Sequence, residues 1–89
     1  MKVNIPDLLK KLTEGKKEIE LEAKTIPEMV KGLVKRYPGL QDKFYSSEGK
    51  IKEHLRFYVG QDFIGLADYE TFTLNQDSKI FIIVPLAGG

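Results

Sequence analysis

The sequence predicts an α+β roll in which one main helix covers one face of a single sheet. Three observations predict it. Apolar and polar residues alternate in short runs near both ends and in the second half of the chain, as strands require. One stripe of apolar residues at intervals of three and four, from Met29 to Tyr37, reads as a helix. A length of 89 residues with 42% hydrophobic composition suffices for one core and is too short for two. The resulting order, strand, strand, helix, strands, gives the class.

Lys2-Val3-Asn4-Ile5 is the first strand, stopped by Pro6, which has no N–H to donate to a ladder. Pro6 to Gly15 carries Leu8, Leu9 and Leu12 at helical spacing and is either a short helix or a packed loop. From Lys17 to Ala23, Glu18, Glu20 and Glu22 alternate with Ile19, Leu21 and Ala23, a half-buried strand. A metal cluster is the alternative for those carboxylates, but a solvated strand face is far commoner. Thr25-Ile26-Pro27-Glu28 has capping-box spacing: the Thr25 hydroxyl accepts from the N–H near Glu28, and Glu28 reaches back to the cap. The helix begun there carries Met29, Val30, Leu33, Val34 and Tyr37 on one side and Lys31, Lys35 and Arg36 on the other. Pro38-Gly39 ends it.

Gln41 to Lys50 is polar and reads as an excursion from the sheet, anchored by Phe44 and Tyr45, with a loop at Ser46-Ser47-Glu48-Gly49. Leu55, Phe57 and Val59 then alternate with His54, Arg56 and Tyr58 as a third strand, turned by Gly60-Gln61-Asp62. A short returning strand from Phe63 gives way to a loop through Leu66, Tyr69 and Phe72. Asn75-Gln76-Asp77-Ser78 has turn composition, and Lys79 to Val84 is the strongest strand in the chain. Along it Phe81 and Ile83 share one face and Ile80, Ile82 and Val84 the other, so both faces touch something. Which set meets the helix is open at this stage. One helix covers only one face, and the apolar surface left over is of the kind that marks a partner site.

Composition excludes several classes. A formal charge of +1 gives no bulk excess for nucleic acid or an anionic membrane. The absence of cysteine removes disulfides, a thiolate nucleophile and thiolate-held metal, so any sulfur the protein handles is borrowed. No opening signal pattern and no apolar run of membrane-spanning length is present, and the expected location is cytoplasmic. The one histidine, His54, has no cysteine partner and makes neither a triad nor a metal site alone, so it reads as structural or solvated and a stand-alone enzyme is not expected.

The chemistry is expected at the end of the chain. Residues 1–84 form the domain and residues 85–89, Pro85-Leu86-Ala87-Gly88-Gly89, a flexible projecting tail that leaves the last strand through a stiffening proline. Extended, five residues reach roughly 17 Å, enough to enter a neighbouring active site. Gly88 and Gly89 lack Cβ atoms and fit a narrow channel. Chance alone places Gly-Gly at the end of roughly one chain in 200. Its continuity with Val84-Pro85-Leu86-Ala87 and a hydrophobic strand is much more specific.

Three stretches carry a resemblance that covers most of the chain: the helix ending in Arg36-Tyr37-Pro38-Gly39-Leu40; Phe57-Tyr58-Val59-Gly60-Gln61-Asp62; and Asn75-Gln76-Asp77-Ser78-Lys79-Ile80 leading to Pro85-Leu86-Ala87-Gly88-Gly89. The sequence resembles the MoaD and ThiS group of ubiquitin-like sulfur carriers, and MoaD, the small subunit of molybdopterin synthase, most closely. That resemblance implies a β-grasp fold with a mixed sheet. It implies that a MoeB- or ThiF-like adenylyltransferase spends ATP to activate the Gly89 carboxylate, and that a sulfur donor displaces AMP to leave a thiocarboxylate. It further implies docking on a MoaE-like large subunit, where sulfur is given to molybdopterin. Gly89 is then the reactive residue, Pro85, Leu86, Ala87 and Gly88 thread the tail into the partner, and Phe81 and Ile83 are docking candidates. No cofactor is expected on this chain itself. Pro6-Asp7 interrupts the first strand earlier than in the family pattern, which leaves the local pairing of residues 5–12 open. Three alternatives also stay open: a ThiS-type thiamine-pathway carrier, typically shorter; a ubiquitin-like protein modifier with the same activation chemistry; and a binding module with an inert tail.

Overall fold

The computed structural model describes residues 1–85. Five strands form one mixed sheet: β1 (Lys2–Asn4), β2 (Glu18–Glu20), β3 (Arg56–Val59), β4 (Asp62–Ile64) and β5 (Lys79–Ile83), in the order β2-β1-β5-β3-β4. β5 lies in the middle, parallel to β1 and antiparallel to β3; the β1–β2 and β3–β4 pairs are antiparallel. This is the expected β-grasp arrangement. The main helix, α1 (Ile26–Arg36), buries Ile26, Met29, Val30 and Leu33 against Val3, Ile19, Phe57, Ile80 and Ile82 in a single core.

The helix begins where the capping pattern places it. The Glu28 N–H donates to the Thr25 hydroxyl at 3.3 Å. The Glu28 carboxylate reaches one residue further back than a standard box, accepting from the Lys24 N–H at 3.3 Å. At the other end, the Arg36 guanidinium donates to the Glu20 carbonyl at 2.8 Å and ties the helix to β2. Val34 is only half-buried, so the deep stripe is Ile26, Met29, Val30, Leu33 and Tyr37.

Two connections fill in what the sequence reading leaves coarse, the short-helix alternative after Pro6 and the excursion anchored by Phe44 and Tyr45. Asp7–Thr13 is a 3-10 helix, closed by Glu14 and Gly15 at positive φ (58° and 82°), and it buries Leu9 but leaves Leu8 57% exposed. A three-fold helix does not hold three leucines in the α-helical register, which is why Leu8 and Leu9 part. Of residues 5–12, whose pairing the sequence leaves open, Ile5 prolongs the β1–β2 pairing by one backbone bond, its N–H donating to Lys17 O at 2.8 Å, before Pro6 turns the chain into the 3-10 helix. The stretch after α1 is not a plain loop. Pro38–Leu40 makes a 3-10 turn and Gln41–Phe44 a one-turn helix, α2, which drives Leu40 and Phe44 fully into the core. Gly39 packs closely there: a Cβ would sit 3.2 Å from the Leu12 side chain, which would have to give by a few tenths of an ångström. A bridge between Tyr45 and Ile51 then closes the excursion as a small hairpin.

The entry to β5 is an Asx turn. The Asn75 side chain accepts from the Asp77 N–H at 2.8 Å, the Ser78 hydroxyl accepts from the Asn75 N–H at 3.0 Å, and the Ser78 N–H donates to Asn75 O at 3.1 Å. The helix-to-sheet core is the main source of stability. Leu33→Ala should lower the unfolding free energy by about 2–5 kcal/mol, and Thr25→Ala by about 1 kcal/mol through the lost cap. Urea denaturation followed by circular dichroism measures both.

Candidate functional site

Alternation along β5 divides its side chains cleanly. Ile80 and Ile82 are buried under α1, whereas Phe81 is half-buried and Ile83 47% exposed on the opposite face. Phe81 and Ile83 thus occupy the uncovered side of the sheet, and the question left open by the sequence resolves in favour of Ile80 and Ile82 as the helix-facing pair. The chain's other described elements leave Ile83 exposed, the leftover apolar surface expected where one helix covers one face.

The register builds a larger surface around Phe81. Tyr58 stands directly opposite Phe81 on β3, and Phe63 opposite Tyr58 on β4. The Tyr58 and Phe63 rings lie 5.6 Å apart, tilted by 59°, and Phe63 is 55% exposed. Phe81, Tyr58 and Phe63 therefore form an aromatic row across three strands, with Ile83 beside it towards the end of β5. Cationic side chains rim the row: Lys2 faces Lys79 on one side, and Arg56 faces Ile83 on the other. The sequence reading missed Tyr58 and Phe63 as part of this surface. Their signal was the alternation of β3, which puts Tyr58 opposite in phase to the buried Phe57.

β5 ends at Ile83, and Val84 and Pro85 continue from it, both half-buried. Pro85 lies where the tail departs. Leu86, Ala87, Gly88 and Gly89 lie outside the described residues. Val84 and Pro85 are bordered by Leu8 and Leu9 of the Asp7–Thr13 3-10 helix and by Lys43, Lys52 and His54.

Among the described residues no group of three His, Asp or Glu side chains is placed to hold a metal, and Glu18 and Glu20 point to solvent on β2. A wide, open hollow of about 840 Å³ between the 46–54 and 66–71 loops includes Ser46 and His54. The Ser46 hydroxyl there accepts from the N–H groups of Glu48 and Lys50, both at 3.3 Å, and serves the hairpin turn. Tyr69, at its edge, packs edge-to-face on Phe57 with centroids 5.5 Å apart. Burial pushes the Tyr69 phenol above its ordinary value, and nearby Arg56 partly offsets that by favouring the phenolate. No helix among the described residues is long and apolar enough to cross a membrane.

The arrangement is a half-shielded sheet whose central strand continues into Val84 and Pro85. Similar folds have been solved. CysO from Amycolatopsis orientalis, in a BexX/CysO complex, superposes with a TM-score of 0.83 at 23% identity over 99% of this chain and 98% of the other. CysO from Mycobacterium tuberculosis gives 0.80 at 21% over 96% and 98%. Small archaeal modifier protein 1 from Methanosarcina acetivorans gives 0.86 at 18% over 99% and 94%. No curated protein matches the chain in sequence. These likenesses place the chain in the ubiquitin-like β-grasp class of folds. The model of the ThiS family matches residues 3–89, and the chain belongs to that family.

Adjacent residues of β5 give a direct check of the two faces. Ile82→Thr should cost about 2–4 kcal/mol of stability, since it carves the core and buries a hydroxyl. Ile83→Thr should cost less than about 1 kcal/mol, as a β-branched exchange on an open face. Equal costs in chemical denaturation would contradict the assigned register. A pH titration tests the Tyr69 environment. Its folded value is raised, so the stabilisation it contributes is intact below the unfolded value near 10.0 and is lost as pH climbs through the folded value. Arg56→Met removes the offsetting charge and should move the Tyr69 transition to still higher pH in a phenolate absorbance titration.

Proposed function

We propose that the Gly89 carboxylate is the reactive group of this sulfur carrier, adenylated by a MoeB- or ThiF-like partner and converted to a thiocarboxylate. Adenylation makes an oxygen of a poorly electrophilic carboxylate into a leaving group. Sulfide then adds to the carbonyl carbon and AMP departs, leaving the thiocarboxylate, a soft nucleophile suited to an activated carbon. With a persulfide donor, the acyl disulfide formed is cleaved by a thiol, which leaves as a disulfide with the donor sulfur, and the same thiocarboxylate remains. ATP is bound by the partner, and the carrier contributes reach and docking. The observation that carries this reading is the position of Pro85. The central strand delivers the tail from the edge of the uncovered aromatic face, so a partner seated on Phe81, Ile83, Tyr58 and Phe63 has the chain end in front of it. Pro85 and Leu86 act as a spacer, and Ala87 and Gly88 pass the narrow part of the channel.

For the acceptor, the resemblance of the quoted segments and the presence of the 38–50 excursion support the role of small subunit of a molybdopterin synthase in the cytoplasm, docked on a MoaE-like large subunit. A second reading, a protein modifier that is joined to lysines of target proteins, is supported by the likeness in fold to small archaeal modifier protein 1. The two share adenylation and diverge afterwards.

Incubation with ATP, the host's ubiquitin-activating-type adenylyltransferase and a sulfur donor should raise the intact mass by roughly 16 Da, one oxygen exchanged for sulfur, and the gain should vanish on deletion of Gly89. A mass that stays unchanged while partner binding survives removal of Gly88-Gly89 would leave an inert-tail binding module instead. Sulfur delivered to a MoaE-bound precursor supports the first acceptor, and isopeptide-linked conjugates the second.

A further inference from the structure

Where Pro85 leaves the domain, a cleft of about 230 Å³ has an apolar floor and a cationic rim. Leu8, Val84 and Pro85 supply apolar surface, Leu8 being 57% exposed, and Lys43, Lys52 and His54 stand around it. None of the ion pairs among the described residues involves Lys43, Lys52 or His54; those pairs are Met1–Glu20, Lys2–Glu18 and Lys10–Asp7. Among the described residues, the cleft lining carries Lys43, Lys52 and His54 and no acidic side chain, on a chain whose formal charge is only +1.

We infer that this cleft is the docking site for an acidic loop of the enzyme that adenylates Gly89, with an apolar side chain of that loop on Leu8, Val84 and Pro85 and its carboxylates on Lys43 and Lys52. The inference rests on the carrier reading and adds to it the chemistry of the partner. Reach supplies the argument. The residues from Pro85 to Gly89 span at most roughly 17 Å, so an enzyme that holds Gly89 in a recessed site has the mouth of that recess against the root of the tail. The cleft is then covered in the complex. Two ammonium groups taken out of water demand compensating charge, and carboxylates on the partner are the economical source. The nucleotide is a poor candidate for that role. Its phosphate is joined to Gly89 at the far end of an extended tail, beyond the reach of a lysine fixed at the root.

The test is carrier-dependent ATP–pyrophosphate exchange by the host's ubiquitin-activating-type adenylyltransferase. With the native chain, KM for the carrier should rise steeply with ionic strength. In K43E/K52E, KM should rise at least about tenfold with kcat changed by less than about twofold, since ground-state docking and not the acyl transfer is affected. K43Q/K52Q should fall between, with a flatter salt dependence. Thermal melts matching the native chain show that the variants are folded; K43Q/K52Q supplies the test if the reversed pair melts early. Exchange that depends on Gly89 but has native KM and salt dependence in both double variants would overturn the acidic-loop assignment while leaving the carrier reading intact. Exchange that persists after deletion of Gly89, or none with the native chain, would overturn both. In the free protein, deletion of Gly88-Gly89 should leave the amide resonances of Lys43 and Lys52 in place. A shift there would mean that the cleft holds the chain's own carboxylate, and would overturn the inference.

Discussion

The two-residue period of β5, fixed at the centre of the sheet, is the constraint on which the rest depends. Ile80 and Ile82 anchor the core beneath α1, Phe81 and Ile83 form the open face, and the strand's last residue hands the chain to Pro85. Core and open face are therefore written on one five-residue segment, which also sets where the chain continues into Pro85. A slip of one residue would carry Phe81 and Ile83 into the core, turn the isoleucines outward and shift the tail's point of exit. The register is held at the strand's entry by the Asx turn at Asn75–Ser78. It is held laterally by the Lys2 N–H donating to Ser78 O at 3.1 Å and the Gly60 N–H to Lys79 O at 2.8 Å. Gly60 permits that second bond because the turn places it at a φ of 61°, which side chains rarely adopt.

A carrier of this design divides the work sharply. In the proposed reading the chemistry falls on a terminal glycine that has no side-chain functionality at all. Glycine loses more backbone entropy on being ordered than any other residue, so threading the tail into a partner opposes binding. In the proposed complex the open face offsets that cost. Aromatic side chains are rigid, bury large areas and lose little rotamer freedom, and here three of them are already aligned by strand pairing before a partner arrives. Preorganisation on the sheet compensates for the ordering of the tail.

Much of this was legible from residues alone. The α1 stripe, the alternation of β2 and β3 and the apolar run of β5 follow directly from period, because burial of one face imposes that period. The capping residue Thr25 and the Asn75–Ser78 turn are legible because their side chains satisfy backbone groups only a few residues away. Less was readable where the chain's path is set by distant packing. Leu8 and Leu9 look equivalent in sequence, but a 3-10 helix after Pro6 separates them. The Gln41–Phe44 turn of helix has too few residues to show a period, and it is held by the burial of Leu40 and Phe44. The pair Phe81 and Ile83 was identified from β5 itself, whereas Tyr58 and Phe63 join them only through the β3–β5 and β3–β4 registers. Cross-strand neighbours are a property of pairing, which no single segment encodes.

An uncovered aromatic face at the middle of a sheet invites self-association, and the architecture restrains it in two ways. The edge strands β2 and β4 are only three residues long, so they present little backbone for another chain to pair with. The apolar row is also bracketed by charge. Lys2 and Lys79 face one another across β1 and β5, a like-charged pairing that costs stability and is relieved in part by Glu18, 4.0 Å from Lys2, while Arg56 guards the opposite side. A second copy of this chain would bring the same cations against its own. A partner that presents carboxylates around an apolar centre meets no such repulsion, so the rim that discourages self-association also selects for a complementary surface. The price is a small loss of intrinsic stability, tolerated because the core beneath α1 is placed on the other face of the sheet and is not weakened by what stands on this one.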